Sequence, residues 1–207
     1  MAKTIITAHS GAENTRDNTL ESVRVQLTCG ADAIEIDVSL WGEDLVLSHD
    51  RPQTGVKCDL LKDCFAEVAK HPGIWVNVDL KSSDILAKVI ACAKGCGIAD
   101  RILFTGDILT AADFAAAADA GVPVWYNHTQ VAEGTSYLDG ATEAGYDMLN
   151  INYRLVTDEM LADAPQRLSL WTVNEEAALR RFLAAGVRNI TTRIPVLALR
   201  LRDEIQG

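Results

Sequence analysis

The segment "AIEIDVSL" sets Glu35 and Asp37 in alternation with Ile34, Ile36 and Val38. Side chains alternate across a strand, so both carboxylates fall on one face and the β-branched residues on the other. "WVNVDLK" repeats the device, with Asn77, Asp79 and Lys81 on a shared face. Neighbouring carboxylates repel unless one holds a proton or a cation lies between them. Three on adjacent strands make an all-oxygen set that suits Mg2+ or Ca2+ better than zinc. The same spacing also accommodates carboxylates paired only with Lys81. Two of the chain's four histidines stand nearby in sequence: His9 ends "TIITAH" and His49 closes "DLVLSH". Histidine changes charge near neutral pH, so two of them can take a proton from one oxygen and give one to another. His71, before Pro72, and His128 read as loop residues.

These residues need a frame that brings distant segments to one place. The chain repeats a helical run, a small residue, a glycine and a short β-branched strand at Gly30, Gly121, Gly145 and Gly186. Glycine takes the left-handed conformation that ends a helix and turns the chain into a buried strand. Eight strands are predicted near residues 4–9, 33–39, 75–80, 101–105, 122–127, 148–153, 168–173 and 187–192. Strands alternating with helices pair in parallel, and eight such units predict a compact (β/α)8 TIM barrel. A doubly wound open sheet is the alternative, but no glycine-rich phosphate loop follows the first strand. In a barrel the strand C-termini carry the chemistry. Those ends hold His9; Glu35 and Asp37; Asp79 and Lys81; Thr105; Asn127; Asn152; Trp171; and Thr192 with Arg193.

With 207 residues, 48% hydrophobic, the chain suits one soluble domain over 1–207. A formal charge of −10 opposes nucleic acid and stable membrane association. An anionic small-molecule substrate therefore needs a local cation. The opening "MAKTIITAHS" has too short an apolar run for a signal peptide, which predicts a cytoplasmic protein. Cys29, Cys58, Cys64, Cys92 and Cys96 then read as reduced thiols. Cys92 and Cys96 are one helical turn apart but lack a partner pair at metal-ligand spacing, so they read as small core residues.

Taken together, "AHSG", "DNTLESV", "GADAIEIDVSL", "DLVLSHD", "VNVDLK", "RILFTGD" and "LSLWTVN" resemble, in order, the glycerophosphodiester phosphodiesterase family. The resemblance implies a metal-dependent TIM barrel of the phospholipase C-like phosphodiesterase type. It implies that His9 and His49 are the general acid and base, and that Glu35, Asp37 and Asp79 hold the divalent ion. Lys81 would face the phosphate, and Trp171 would wall the pocket for the alcohol portion. The reaction the resemblance implies is hydrolysis of a glycerophosphodiester to an alcohol and glycerol 3-phosphate, in which the substrate's own neighbouring hydroxyl attacks to give a cyclic phosphate that water then opens.

The sequence departs from the family pattern in several places. Ser10 replaces the arginine expected after the first histidine, Asp17 replaces a glutamate, and Asp79 stands where glutamate is usual. Only residues 51–75 separate Asp50 from "VNVDLK", so the usual helical insertion is missing or tiny. A serine hydroxyl is no substitute for a guanidinium fork on a phosphate. Arg193, circularly adjacent to the first strand in a closed barrel, is either the replacement or a surface arginine at a helix start. Sphingomyelinase D enzymes share the D-L-K and lack that arginine, which keeps a lysophospholipase D-type activity open. A non-catalytic barrel that binds a phosphorylated ligand is the remaining alternative.

Overall fold

The computed structural model describes residues 3–207. Its strands are β1 (Ile5–Ala8), β2 (Ala33–Trp41), β3 (Asp44–Leu47), β4 (Trp75–Leu80), β5 (Ile102–Thr105), β6 (Tyr126–Asn127), β7 (Leu149–Asn152), β8 (Leu168–Trp171) and β9 (Asn189–Thr192). All but β3 run parallel, in the order β5-β4-β2-β1-β9-β8-β7-β6. The cylinder closes where Phe104 bridges Val124. There Phe104 N–H donates to the Pro123 carbonyl (2.9 Å) and Trp125 N–H to the Phe104 carbonyl (3.0 Å). This is a TIM barrel, and the doubly wound alternative is excluded. The strand expected over 122–127 shrinks to Tyr126–Asn127 plus that bridge, because Pro123 has no N–H to give a ladder.

The helices are α1 (Leu20–Thr28), α2 (Leu61–Ala69), α3 (Leu86–Gly95), α4 (Ala111–Asp119), α5 (Tyr137–Glu143), α6 (Asp158–Asp163), α7 (Glu176–Ala185) and α8 (Pro195–Gln206). Thr19 caps α1 by accepting from Ser22 N–H, and Thr110 with Asp113 forms a capping box on α4. Gly186 ends α7 at φ 71°, so the chain reverses into β9 without strain on a Cβ.

The outward faces of the strands and the inward faces of the helices make two apolar shells. Ile34, Ile36, Val38, Val76 and Val78 pack with Leu61, Phe65 and Val89 on one side. Ile151, Leu170 and Ile190 pack with Leu179, Phe182 and Leu183 on the other. Burying Phe182 and Leu183 contributes roughly 1.5–3 kcal/mol each. The inward faces are a contrast. TIM interiors are usually filled by Val, Ile and Leu, but here Thr7, Glu35, Asn77, Thr105, Asn127, Asn150, Ser169 and Asn189 are buried polar residues. At the N-terminal end of the barrel, Ile5, Leu103, Pro123, Trp75 and Trp125 surround a cavity of about 540 Å3.

Residues 42–43 turn β2 into the antiparallel β3, which pairs Val38 with Leu47 and Trp41 with Asp44. The chain then passes His49 and runs without helix through residues 50–59 before α2. The helical insertion is absent, as the spacing predicted. All five cysteines are free thiols. Among the described residues no helix is long and apolar enough to cross a membrane.

Candidate active site

Because Ile34, Ile36 and Val38 face the helices, Glu35 and Asp37 face the interior, and register sets Asp37 opposite Asp79. Glu35, Asp37 and Asp79 each offer an oxygen, and these oxygens lie within 4.8 Å of one another. They line a cavity of about 190 Å3 at the C-terminal mouth, together with His9, His49, Lys81, Asp107 and Trp171. The hairpin of β2 and β3 is what returns His49 to this mouth.

The acids are under electrostatic stress. Glu35 is pushed well above the ordinary glutamate range by burial and then by Asp37 and Asp79. Burial raises Asp79 to about 6, with Lys81 opposing and Asp37 adding to the shift. Lys81 lies 3.0 Å from Asp79 and 3.3 Å from Asp37. Burial works against its charge, but those two carboxylates hold its pKa above the ordinary lysine value. One lysine does not settle three acids: Asp79 Oδ1 is buried with no hydrogen-bond partner among the described residues. A hard divalent cation fits this donor set, since it would take the orphaned oxygen and offset the mutual repulsion of the three carboxylates.

Neighbouring loops aim the acids. Ser10 N–H donates to Glu35 Oε2 (3.0 Å), and Asn18 Nδ2 donates to Asp37 Oδ2 (2.9 Å). His9 Nδ1 lies 2.6 Å from the Ser10 carbonyl. A carbonyl only accepts, so Nδ1 carries the hydrogen and Nε2 of the neutral ring is bare. Burial lowers the His9 pKa, partly countered by that Ser10 contact, and keeps the ring neutral at pH 7. His49 Nδ1 likewise donates to Asp50 Oδ1 (2.8 Å), in an exposed position. Trp171 Nε1 is buried without a partner, and the ring of His128 lies 5.6 Å from the indole.

Two expected residues stand apart from the cavity. Ser10 is 2% exposed; its hydroxyl accepts from Asn18 N–H (2.6 Å) and donates to Asn18 Oδ1 (3.2 Å). Its backbone, not its hydroxyl, serves the site. Arg193 is not among the residues lining the cavity, and Asp17 grips both its terminal nitrogens, at 2.9 and 2.7 Å. Gly11, at φ 79°, leaves room for that clasp: a Cβ there would lie 1.8 Å from Asp17 Oδ1. Sequence reasoning missed Asn18 and Asp107. The first lies in the quoted "DNTLESV" and the second in "RILFTGD", so position in those segments was the available signal.

No protein-family model matches the chain, and no curated protein does. Solved structures do. One from Agrobacterium tumefaciens, assigned as a glycerophosphoryl diester phosphodiesterase, superposes with a TM-score of 0.84 at 16% identity, covering 99% of each chain. A glycerophosphodiester phosphodiesterase from Parabacteroides distasonis gives 0.78 at 18% identity over 100% of both. A phosphodiesterase from Oleispira antarctica, in complex with the product sn-glycerol-3-phosphate, gives 0.77 at 16% identity over 97% of both. At these identities the likeness establishes the TIM-barrel fold over the length of the chain.

Proposed function

We propose that the protein is a metal-dependent phosphodiesterase that hydrolyses a glycerophosphodiester to an alcohol and glycerol 3-phosphate. The observation that carries this reading is the joint lining of one cavity by two imidazoles, three mutually repelling carboxylates and Lys81. Solved structures of the same fold include one with sn-glycerol-3-phosphate as product, which supports the substrate class.

Glu35, Asp37 and Asp79 would hold the divalent ion, which when bound neutralises charge on the diester and acidifies a hydroxyl. His9, neutral and bare at Nε2, takes the proton from the attacking hydroxyl, the substrate's own neighbouring one. His49, oriented through Nδ1 by Asp50, gives a proton to the leaving alkoxide. Water then opens the cyclic phosphate so formed, with the two imidazoles exchanging roles, to give glycerol 3-phosphate. Lys81 faces the phosphate as a fixed positive charge. Trp171 walls the side that receives the alcohol.

The test offers glycerophosphocholine, glycerophosphoethanolamine and lysophosphatidylcholine to purified protein with Mg2+, Ca2+ or Mn2+. Release of glycerol 3-phosphate from the first two supports the reading. Lysophosphatidate, or its cyclic form, would point instead to a lysophospholipase D activity, and no product with any metal to a ligand-binding barrel.

A further inference from the structure

The polar filling of the barrel forms a chain of hydrogen bonds that all run one way. Thr7 Oγ1 donates to Asn189 Oδ1 (2.7 Å), and Asn189 Nδ2 to Ser169 Oγ (3.0 Å). Ser169 Oγ then donates to Asn150 Oδ1 (2.9 Å), and Asn150 Nδ2 to Asn127 Oδ1 (2.8 Å). Last, Asn127 Nδ2 donates to Asp107 Oδ1 (2.7 Å). The direction is dictated by its end. An ionised carboxylate accepts only, so Asn127 must present its NH2, which leaves its carbonyl to accept from Asn150, and so on back to Thr7. Aligned donors polarise one another, and their field converges on Asp107.

Asp107 is therefore an anion held in place. Thr129 Oγ1 donates to the same oxygen (2.5 Å), whereas Oδ2 has no hydrogen-bond partner among the described residues. The residue is exposed and lines the catalytic cavity, yet it lies outside the Glu35–Asp37–Asp79 cluster. Its immediate partners are donors rather than metal ligands, so the surroundings do not make a second divalent site. The cavity lining then holds four carboxylates against Lys81. A divalent ion and Lys81 together match the charge of the three clustered acids, and Asp107 stands outside that cluster. Trp171 lines the same cavity, and an indole is the aromatic group best suited to an alkylammonium.

Resting on the phosphodiesterase reading, we propose that Asp107, with Trp171, forms a subsite for a positively charged leaving alcohol. Asp107 is a specificity-determining residue that selects quaternary or primary ammonium alcohols over uncharged ones. It does so without sharing in the metal site.

The test compares kcat/KM of the metal-loaded enzyme on glycerophosphocholine, glycerophosphoethanolamine and glycerophosphoglycerol. The unaltered enzyme should prefer the two cationic alcohols. Asp107→Asn should lower the ratio of kcat/KM on those two to that on glycerophosphoglycerol about tenfold, the scale of one ion pair partly screened by water. A binding readout needs no turnover: choline chloride titrated against the protein should perturb tryptophan fluorescence, and D107N should abolish the response. An equal loss on all three substrates, or a choline response unchanged in D107N, would overturn the proposal. If D107N does not fold, the substrate preference of the unaltered enzyme decides, and equal rates on charged and uncharged alcohols overturn it. Absence of hydrolysis of every diester would sink the phosphodiesterase reading, while the choline titration still judges the subsite.

Discussion

The two sides of the barrel interior treat polarity in opposite ways. Strand β1 leads into His9, and strands β2 and β4 carry Glu35, Asp37 and Asp79, whose charges repel; Asp79 Oδ1 has no partner among the described residues. Strands β6 to β9 carry Asn127, Asn150, Ser169 and Asn189, each both donating and accepting. Both sides are buried and polar, and both depart from the apolar filling usual for this fold. The difference is compensation. A satisfied polar network holds a shape, whereas an uncompensated one is destabilising until a ligand arrives.

The sharpest way to break this contrast is to remove chemistry from the strained side. His9→Ala and Glu35→Gln should each reduce release of glycerol 3-phosphate by at least about a thousandfold, with circular dichroism unchanged. Retention of activity within tenfold would mean that the strain serves something other than catalysis.

A second measurement concerns pH and needs no mutation. Asp79 sits near 6 rather than the ordinary 3.8, so the folded state binds a proton that the unfolded state has already released. Stability in EDTA should therefore fall as pH rises from about 4 through 6, and Glu35, shifted the same way, extends the loss upward. Each kcal/mol lost lowers the melting temperature of a chain this size by roughly 2–4 °C. Saturating Mg2+ or Ca2+ should abolish the slope, and a flat melting profile in EDTA would contradict the compensation argument.

On the satisfied side the expected effect is on stability alone. Asn189→Ala strips partners from Thr7 and Ser169, and should cost about 1–3 kcal/mol in denaturant unfolding. Hydrolysis of glycerophosphoglycerol should hold within twofold. The smallest effect is expected at Arg193→Ala, where an exposed ion pair with Asp17 contributes under about 1 kcal/mol and activity should be unaltered.

Much of this was readable because period two is a strong signal. Ile34, Ile36 and Val38 declare which face of β2 is apolar, and that places Glu35 and Asp37 inside. The same logic gave the barrel, since strand and helix alternate with glycines at the joints. The satisfied side was hidden for a physical reason. An asparagine in a strand looks the same whether solvated or buried, and only closure of the cylinder brings Asn189 to Thr7, 182 positions away. The contacts of Ser10 and Arg193 were not legible, because they depend on the loop at Gly11, Glu13 and Asn14, whose positive φ angles no periodicity announces.

The junction between β5 and β6 is the weakest backbone seam of the cylinder, stitched by one bridge rather than a ladder. Side chains lace it instead: Asn127 and Thr129 reach across to Asp107, and Gln130 Nε2 to the Leu109 carbonyl (2.9 Å). Slackening that lacing would widen the mouth on the alcohol side while the acidic strands stay zipped. Amide exchange at Phe104 and Trp125 should accordingly outpace that at Ile34 and Val76.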